Sequence, residues 1–354
     1  MNQGSHESSE SSTGPVLVVI PCLNEEQHVE RVVTKLATEA DLINLKIVVA
    51  DGGSTDRTRA IVARMAETNH RIVLMDNPKR VQSVAVNHAV RRYGGGARFL
   101  VRVDAHADYP DRYCKRLLKV QTRTRADSVV VSMHTEGHTC FERAAAAAQN
   151  SILGNGGAAH RNETGGRWVD HGHHALMTID AFRAVGGYDE TFTHNEDAEL
   201  DARLTAKGFH IYLTGEAQVT YYPRGSAAAL FWQYFNIGRG RARNFLKHHT
   251  NTKLRHLVLT AVAPAVCLLL SVPFSGIFAL PALAWALGCL GYGLALGVRQ
   301  RDACAAAAGI AAIAMQAGWS FGFFAGLKAG FSENGRKSMP EAEQKATAND
   351  RISR

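Results

Sequence analysis

Between Val16 and Met133 the chain alternates short β-branched runs with amphipathic stretches, and that alternation restricts its fold more than any other feature. The runs Val16 to Ile20, Lys46 to Ala50, Arg71 to Met75, Phe99 to Val103 and Ser128 to Met133 are almost continuously apolar, as strands covered on both faces must be. Between them, Glu25 to Ala40, Asp56 to Glu67, Gln82 to Arg92 and Arg112 to Arg125 carry helical periodicity. Asn24 with Gln27 reads as a capping box opening the first helix. The pattern predicts an α/β fold with a Rossmann-like, mostly parallel sheet flanked by helices. Ligands of such sheets gather beyond the C-terminal strand ends. Those ends are Pro21 to Glu25, Asp51 to Asp56 and Asp104 to Asp108, all polar and acidic.

Past Leu257 the composition changes. Leu257 to Phe274, Ile277 to Val298 and Ala303 to Leu327 are apolar and nearly free of charge, each close to the roughly twenty residues that span a bilayer. Pro264, Pro273, Pro281 and abundant Gly and Ala suit membrane helices packed on small residues. The net charge of +8 is compatible with nucleic acid, a membrane surface or phosphorylated ligands. Its distribution selects the membrane: Arg239, Arg241, Arg243, Lys247, Lys253 and Arg255 crowd just ahead of the first apolar run, where cytoplasmic cations are expected. Three spans would leave the basic end from Lys328 outside, so the third segment is expected to span, re-enter or lie in the interface. The six cysteines form no Cys-x-x-Cys pair and read as reduced packing residues of a cytoplasmic protein. Expected divisions are a disordered lead-in over 1–14, a catalytic domain over 15–235, a basic juxtamembrane segment over 236–256, membrane helices over 257–328 and a polar tail over 329–354.

Three acidic motifs carry chemistry. In Asp51-Gly52-Gly53-Ser54-Thr55-Asp56 a strand-end carboxylate can meet a nucleotide base while the glycines admit close approach, although a plain βα turn uses the same residues. Asp104 and His106, two apart in an extended segment, can point the same way and hold a divalent metal against phosphates. Glu196-Asp197 opens an amphipathic helix, where a carboxylate can act as general base or merely offset the helix dipole. Lys79, Arg80 and the arginines from Arg239 to Arg243 can pair with phosphates or stay solvated. The histidines of Trp168-Val169-Asp170-His171-Gly172-His173-His174 lack a nearby cysteine for a structural zinc site.

In order and type these features resemble family 2 glycosyltransferases of the GT-A fold. The resemblance is carried by Pro21-Cys22-Leu23-Asn24-Glu25, the Asp51 to Asp56 segment, Ala85-Val86-Asn87-His88-Ala89, Asp104-Ala105-His106, Gly186-Gly187-Tyr188-Asp189-Glu190, and Glu196-Asp197 with Arg203-Leu204. It implies a donor site of Pro21, Asn24, Glu25, Asp51, Gly53, Ser54, Lys79, Asn87 and Asp104, with Asp51 on the uracil. It further implies a metal, Mn²⁺ or Mg²⁺, at Asp104 and His106, and Asp197 as base of an inverting transfer. His106 stands where the family usually has a second Asp, which favours Mn²⁺. The resemblance also sets His171, His173 or His174 in the implied acceptor's sugar pocket, with Glu196 near it and Arg239 and Arg241 toward its phosphates.

Tyr221-Tyr222-Pro223-Arg224-Gly225 and the stretch from Gln233 to Arg241 resemble the branch that contains the glucosyltransferase of succinoglycan biosynthesis. That implies one glucose moved from UDP-glucose to a polyprenyl-diphosphate-linked saccharide in exopolysaccharide synthesis, at the cytoplasmic face of the inner membrane. No Gln-x-x-Arg-Trp stretch follows Asp197, which argues against a processive synthase. The alternatives are a polyprenyl-phosphate sugar synthase and a non-catalytic scaffold that binds nucleotide sugar. Nucleic acid is not an expected partner.

Overall fold

The computed structural model describes residues 14–156, 165–248 and 254–337. It divides into two compact units, residues 1–138 with 149–223, and residues 139–148 with 224–354. The polar lead-in up to residue 13 and the tail past 337 lie outside the described residues. The chain changes units after Pro223, ahead of the domain end expected at 235.

The first unit runs β1 (Val16–Cys22), α1 (Val29–Ala37), β2 (Leu45–Asp51), α2 (Thr58–Thr68), β3 (Ile72–Asp76), α3 (Gln82–Tyr93), β4 (Phe99–Arg102), α4 (Tyr113–Thr124) and β5 (Ser128–Thr135). After α5 (Cys140–Gln149), which belongs mostly to the second unit, come α6 (Ile152–Asn155), β6 (Gly166–Val169), β7 (His173–Thr178), α7 (Ile179–Ala184), α8 (Glu196–Ala206) and β8 (Ile211–Tyr221). The eight strands among the described residues form one sheet in the order β3-β2-β1-β4-β7-β5-β8-β6. β1 is parallel to β2 and β4, β2 to β3, and β5 to β8, while β7 runs antiparallel between β4 and β5 and β6 closes the edge antiparallel to β8.

Both faces of β1 are covered, so its side chains divide by parity. Val16, Val18 and Ile20 pack with Val33 and Leu36 of α1 and Leu117 of α4. Leu17 and Val19 pack on the other face with Val86 and Ala89 of α3, Phe182 of α7 and Leu200 of α8. This double burial explains the unbroken apolar run.

One local expectation fails. α1 starts at Val29 with no side-chain cap, and Asn24 has another task. Held at φ 57°, Asn24 donates its backbone N–H to Ser54 Oγ (2.9 Å) and accepts from Thr55 N (2.8 Å). A left-handed conformation suits Asn better than most residues, and here it locks the loop after β1 to the loop after β2.

The second unit contains α9 (Ala227–His248), α10 (Leu254–Thr260), α11 (Val262–Cys267), α12 (Leu280–Gln300) and α13 (Ala308–Lys337). The segment expected as a basic juxtamembrane stretch is thus helical as far as His248. Two helical segments among the described residues, Gly276–Gln300 and Ala305–Gly330, are long and apolar enough to cross a membrane. The run from Leu257 is not a third: it reaches only His256–Ser271 and breaks after Thr260. Pro264 supplies no N–H to the Thr260 carbonyl, and Ser320 of α13 donates to that carbonyl instead (3.2 Å) while accepting from Ala263 N (2.9 Å).

Cys140 is disulfide-bonded to Cys304, and Arg143 pairs with Asp302 (2.8 Å), so α5 is tied to the α12–α13 junction. The expectation of six reduced packing cysteines is corrected for this pair, and Cys267 is exposed; Cys22, Cys114 and Cys289 are free and buried as expected. Cysteine usage therefore no longer supports a cytoplasmic setting.

Glycines let α9 and α13 approach backbone to backbone. A Cβ on Gly322 would lie 1.9 Å from the Phe235 carbonyl oxygen, and one on Gly318 2.3 Å from that of Phe231. Gly291 of α12, by contrast, has nothing within 4 Å of an added Cβ. Gly322→Ala is expected to destabilise by about 1–3 kcal/mol through overpacking. Gly291→Ala is expected to stabilise by up to about 1 kcal/mol through helix propensity. Thermal unfolding of the detergent-purified protein should show these opposite signs.

Candidate active site

The C-terminal ends of β1, β2 and β4 meet as the fold requires, and two loops interlock there. Asp51 is 1% exposed and accepts from Gly53 N (2.9 Å), Ser54 N (3.1 Å), Ser54 Oγ and Arg59 (2.8 Å), whose guanidinium also reaches Asp76 (2.8 Å). Burial pushes the Asp51 carboxyl up, but the Ser54 and Arg59 hydrogen bonds prevail and hold it below its usual range. Its side chain is spent on shaping its own loop. Glu25 donates its N–H to Thr58 Oγ1 (2.8 Å) and its carboxylate meets His106 Nδ1 (3.1 Å). Pro21 pairs beside Ala50 in the sheet.

Asp104 follows β4. Its Oδ1 accepts from Gln82 (3.0 Å) and faces Arg102 (3.6 Å), while Oδ2 faces His173 Nε2 at 3.6 Å. Burial raises this carboxyl, yet Arg102, then His173 and His106, bring it below the ordinary value. Asp108 does not join the pair, because Arg31 and Tyr222 OH (2.7 Å) occupy it. Among the described residues no three His, Cys, Asp or Glu side chains group to cage a metal. Asp104 and His106 fit a cation bound through one or two protein donors and completed by ligand phosphates and water.

Arg102, to which the sequence motifs assign no role, is buried at the end of β4. It contacts Asp197, Glu196 (3.5 Å), Asp104 (3.6 Å) and Tyr188 OH (3.3 Å). Asp197 also accepts from Tyr188 OH (3.0 Å) and meets His174 Nδ1 (3.2 Å). Burial opposes ionisation of Asp197, but Arg102 and His174 overcome it and hold the carboxyl well below its usual range. Burial and the Asp197 charge push neighbouring Glu196 up to about 7. Behind His174, Asp201 receives His174 Nε2 (2.7 Å), His171 Nδ1 (2.7 Å) and Gly172 N (3.3 Å). His171 is therefore engaged by α8, and His173 faces Asp104.

Two residues expected at the donor also make contacts within the fold. The Asn87 carboxamide accepts from Tyr188 N (2.9 Å) and donates to Tyr188 O (2.8 Å), clamping the loop that presents Tyr188. Lys79 pairs with Glu190 (3.3 Å) of the same loop. Arg203 secures that loop from α8 through the Gly187 carbonyl (2.7 Å). Arg239 and Arg241 belong to α9 of the second unit. A cation inside an apolar strand was the available sign of Arg102, since a buried charge requires partners.

Residues 17–186 match the family described as Glycosyl transferase family 2. Over 317 residues the chain is 50% identical to succinoglycan biosynthesis protein ExoA of Rhizobium meliloti (strain 1021), covering 90% of this chain and 96% of that one. Among solved structures, the mannosyltransferase PcManGT from Pyrobaculum calidifontis, in complex with GDP-Man and Mn²⁺, aligns with a TM-score of 0.51 at 19% identity. That alignment covers 87% of this chain and 88% of the other and shows a common fold.

The raised Glu196 carboxyl makes stability depend on pH. Its neutral form is favoured in the fold, so its contribution is complete below about 4.5 and lost as pH rises through about 7. Melting temperatures of the wild type should fall relative to Glu196→Gln across that window and converge below it.

Proposed function

Because the chain belongs to glycosyltransferase family 2, with a GT-A fold, we propose that it moves a single glucose from UDP-glucose, with inversion, onto a polyprenyl-diphosphate-linked saccharide during exopolysaccharide assembly. The convergence of Arg102, Asp104, Glu196 and Asp197 beyond the strand ends carries this reading. The relative's role in succinoglycan biosynthesis supports the choice of pathway class and acceptor.

The roles follow from position. Asp51 organises the loop that receives the uridine, with the Gly53 and Ser54 backbone drawn in by its carboxylate. Gln82 and Arg102 hold Asp104 toward the diphosphate. Asp197 is kept ionised by Arg102 and takes the proton from the attacking acceptor hydroxyl as it displaces UDP from the opposite face. A divalent cation at Asp104 and His106, when bound, offsets the charge of the leaving diphosphate. Arg102 is pinned among three carboxylates and is not free to replace it.

The apolar helices Gly276–Gln300 and Ala305–Gly330 are assigned to the membrane. Leu283, Leu287, Leu294 and Val298 of α12 are exposed, as lipid-facing residues would be.

Asp197→Asn should lower turnover by about 10²- to 10⁴-fold while UDP affinity stays near wild type. Titration calorimetry with UDP alongside incorporation of labelled sugar checks this, and undiminished turnover would remove the base assignment. Excess chelator should abolish transfer, with Mn²⁺ restoring more than Mg²⁺ because an imidazole stands beside the carboxylate. Transfer that persists in chelator would contradict the metal role.

A further inference from the structure

All three donors on Asp197 reach the same oxygen. Arg102 Nη1, Tyr188 OH (3.0 Å) and His174 Nδ1 (3.2 Å) converge on Oδ1, while Oδ2 makes no hydrogen bond among the described residues. His174 is itself fixed from both ends: Nδ1 also lies 2.8 Å from Tyr188 OH, and Nε2 lies 2.7 Å from Asp201 Oδ1. His174 is 2% and Asp201 1% exposed, so neither is a solvated surface pair. Asp201 is held in turn by His171 Nδ1 (2.7 Å) and Gly172 N (3.3 Å) on its other oxygen.

We propose that Asp201 and His174 form an orienting dyad that clamps Asp197 through Oδ1 and leaves Oδ2 to receive the acceptor proton. The inference rests on the assignment of Asp197 as base. Asp201 and Asp197 lie four residues apart on α8, about one turn, so one helix face presents both carboxylates to β7. The imidazole of β7 bridges them, and the antiparallel insertion of β7 between β4 and β5 brings it to the catalytic end of the sheet. Groups facing His174 and Asp197 from the surrounding elements are Arg102 on β4, Asp104 just after it, Tyr188 on its loop, Glu196 and Asp201 on α8, His171 ahead of β7 and His173 at its start. His174 is a positioning residue: it acts on the acceptor through Asp197.

Placement of the base is worth most in the transition state, where a misplacement of about 1 Å can cost about 10²-fold. A charged imidazole also favours the Asp197 carboxylate, so its loss moves that carboxyl up. The acid limb of the kcat profile should then shift to higher pH.

The test uses the full-length protein in detergent, with the labelled nucleotide sugar that membranes incorporate best. Asp201→Asn and His174→Gln should each lower kcat by roughly 10- to 100-fold, with donor KM and UDP affinity within about twofold of wild type. His174→Gln should also raise the acid limb. Added to Asp197→Asn, His174→Gln should cost nothing further. A merely structural dyad would lower the melting temperature while leaving kcat per folded enzyme and the pH limb in place, and that result overturns the proposal. Equal losses from His174→Gln with and without Asp197→Asn overturn it too. If Asp197→Asn alone retains wild-type turnover, the base assignment fails first, a result distinct from failure of the dyad.

Discussion

A single buried cation organises the catalytic end of the sheet. Arg102 sits in an apolar strand against Asp104, Glu196 and Asp197, so elements far apart in sequence are drawn to one charge. Without it, burial would drive these carboxyls toward their neutral forms. Removing one partner of such a buried set typically costs about 3–5 kcal/mol, because the remaining charges stay desolvated. The unequal share of that charge separates two adjacent acids, leaving Asp197 firmly ionised and Glu196 raised to about 7.

Around this centre the scaffold commits its polar side chains to position loops. Asn24 and Asp51 interlock the loops after β1 and β2, and Asn87 with Arg203 fixes the loop that delivers Tyr188. Several residues whose types suggest ligand contacts are thus hydrogen-bonded within the scaffold. The division suits a site that needs rigid, preorganised charge.

The parallel half of the sheet was legible because doubly covered strands leave continuous apolar runs. Asp104 and Asp197 were legible because strand ends and helix starts are where such folds expose carboxylates. Arg102 was hidden by its apolar neighbours. His174 stood out only as one of three histidines near an acceptor, and its seat against Asp197 and Asp201 comes from the antiparallel course of β7, which no local periodicity announces. Asn24 looked like a cap since its spacing to Gln27 is right, but its left-handed backbone turns it toward Ser54. Leu257 to Phe274 met the hydropathy expected of a span, and only Pro264, with Ser320 on the freed Thr260 carbonyl, shows why the helix breaks after Thr260. Cys140 and Cys304 are 164 residues apart, a separation that carries no signal in the chain.

The central claim is transfer of one sugar with inversion, and product analysis tests it most directly. Membranes containing the protein would be incubated with radiolabelled UDP-glucose and lipid-diphosphate-linked saccharide, and the product released for linkage and anomeric analysis. The account predicts one added glucose per acceptor in β linkage, opposite to the α configuration of the donor. An α-linked product, a polymer, or label found only on lipid phosphate would contradict it.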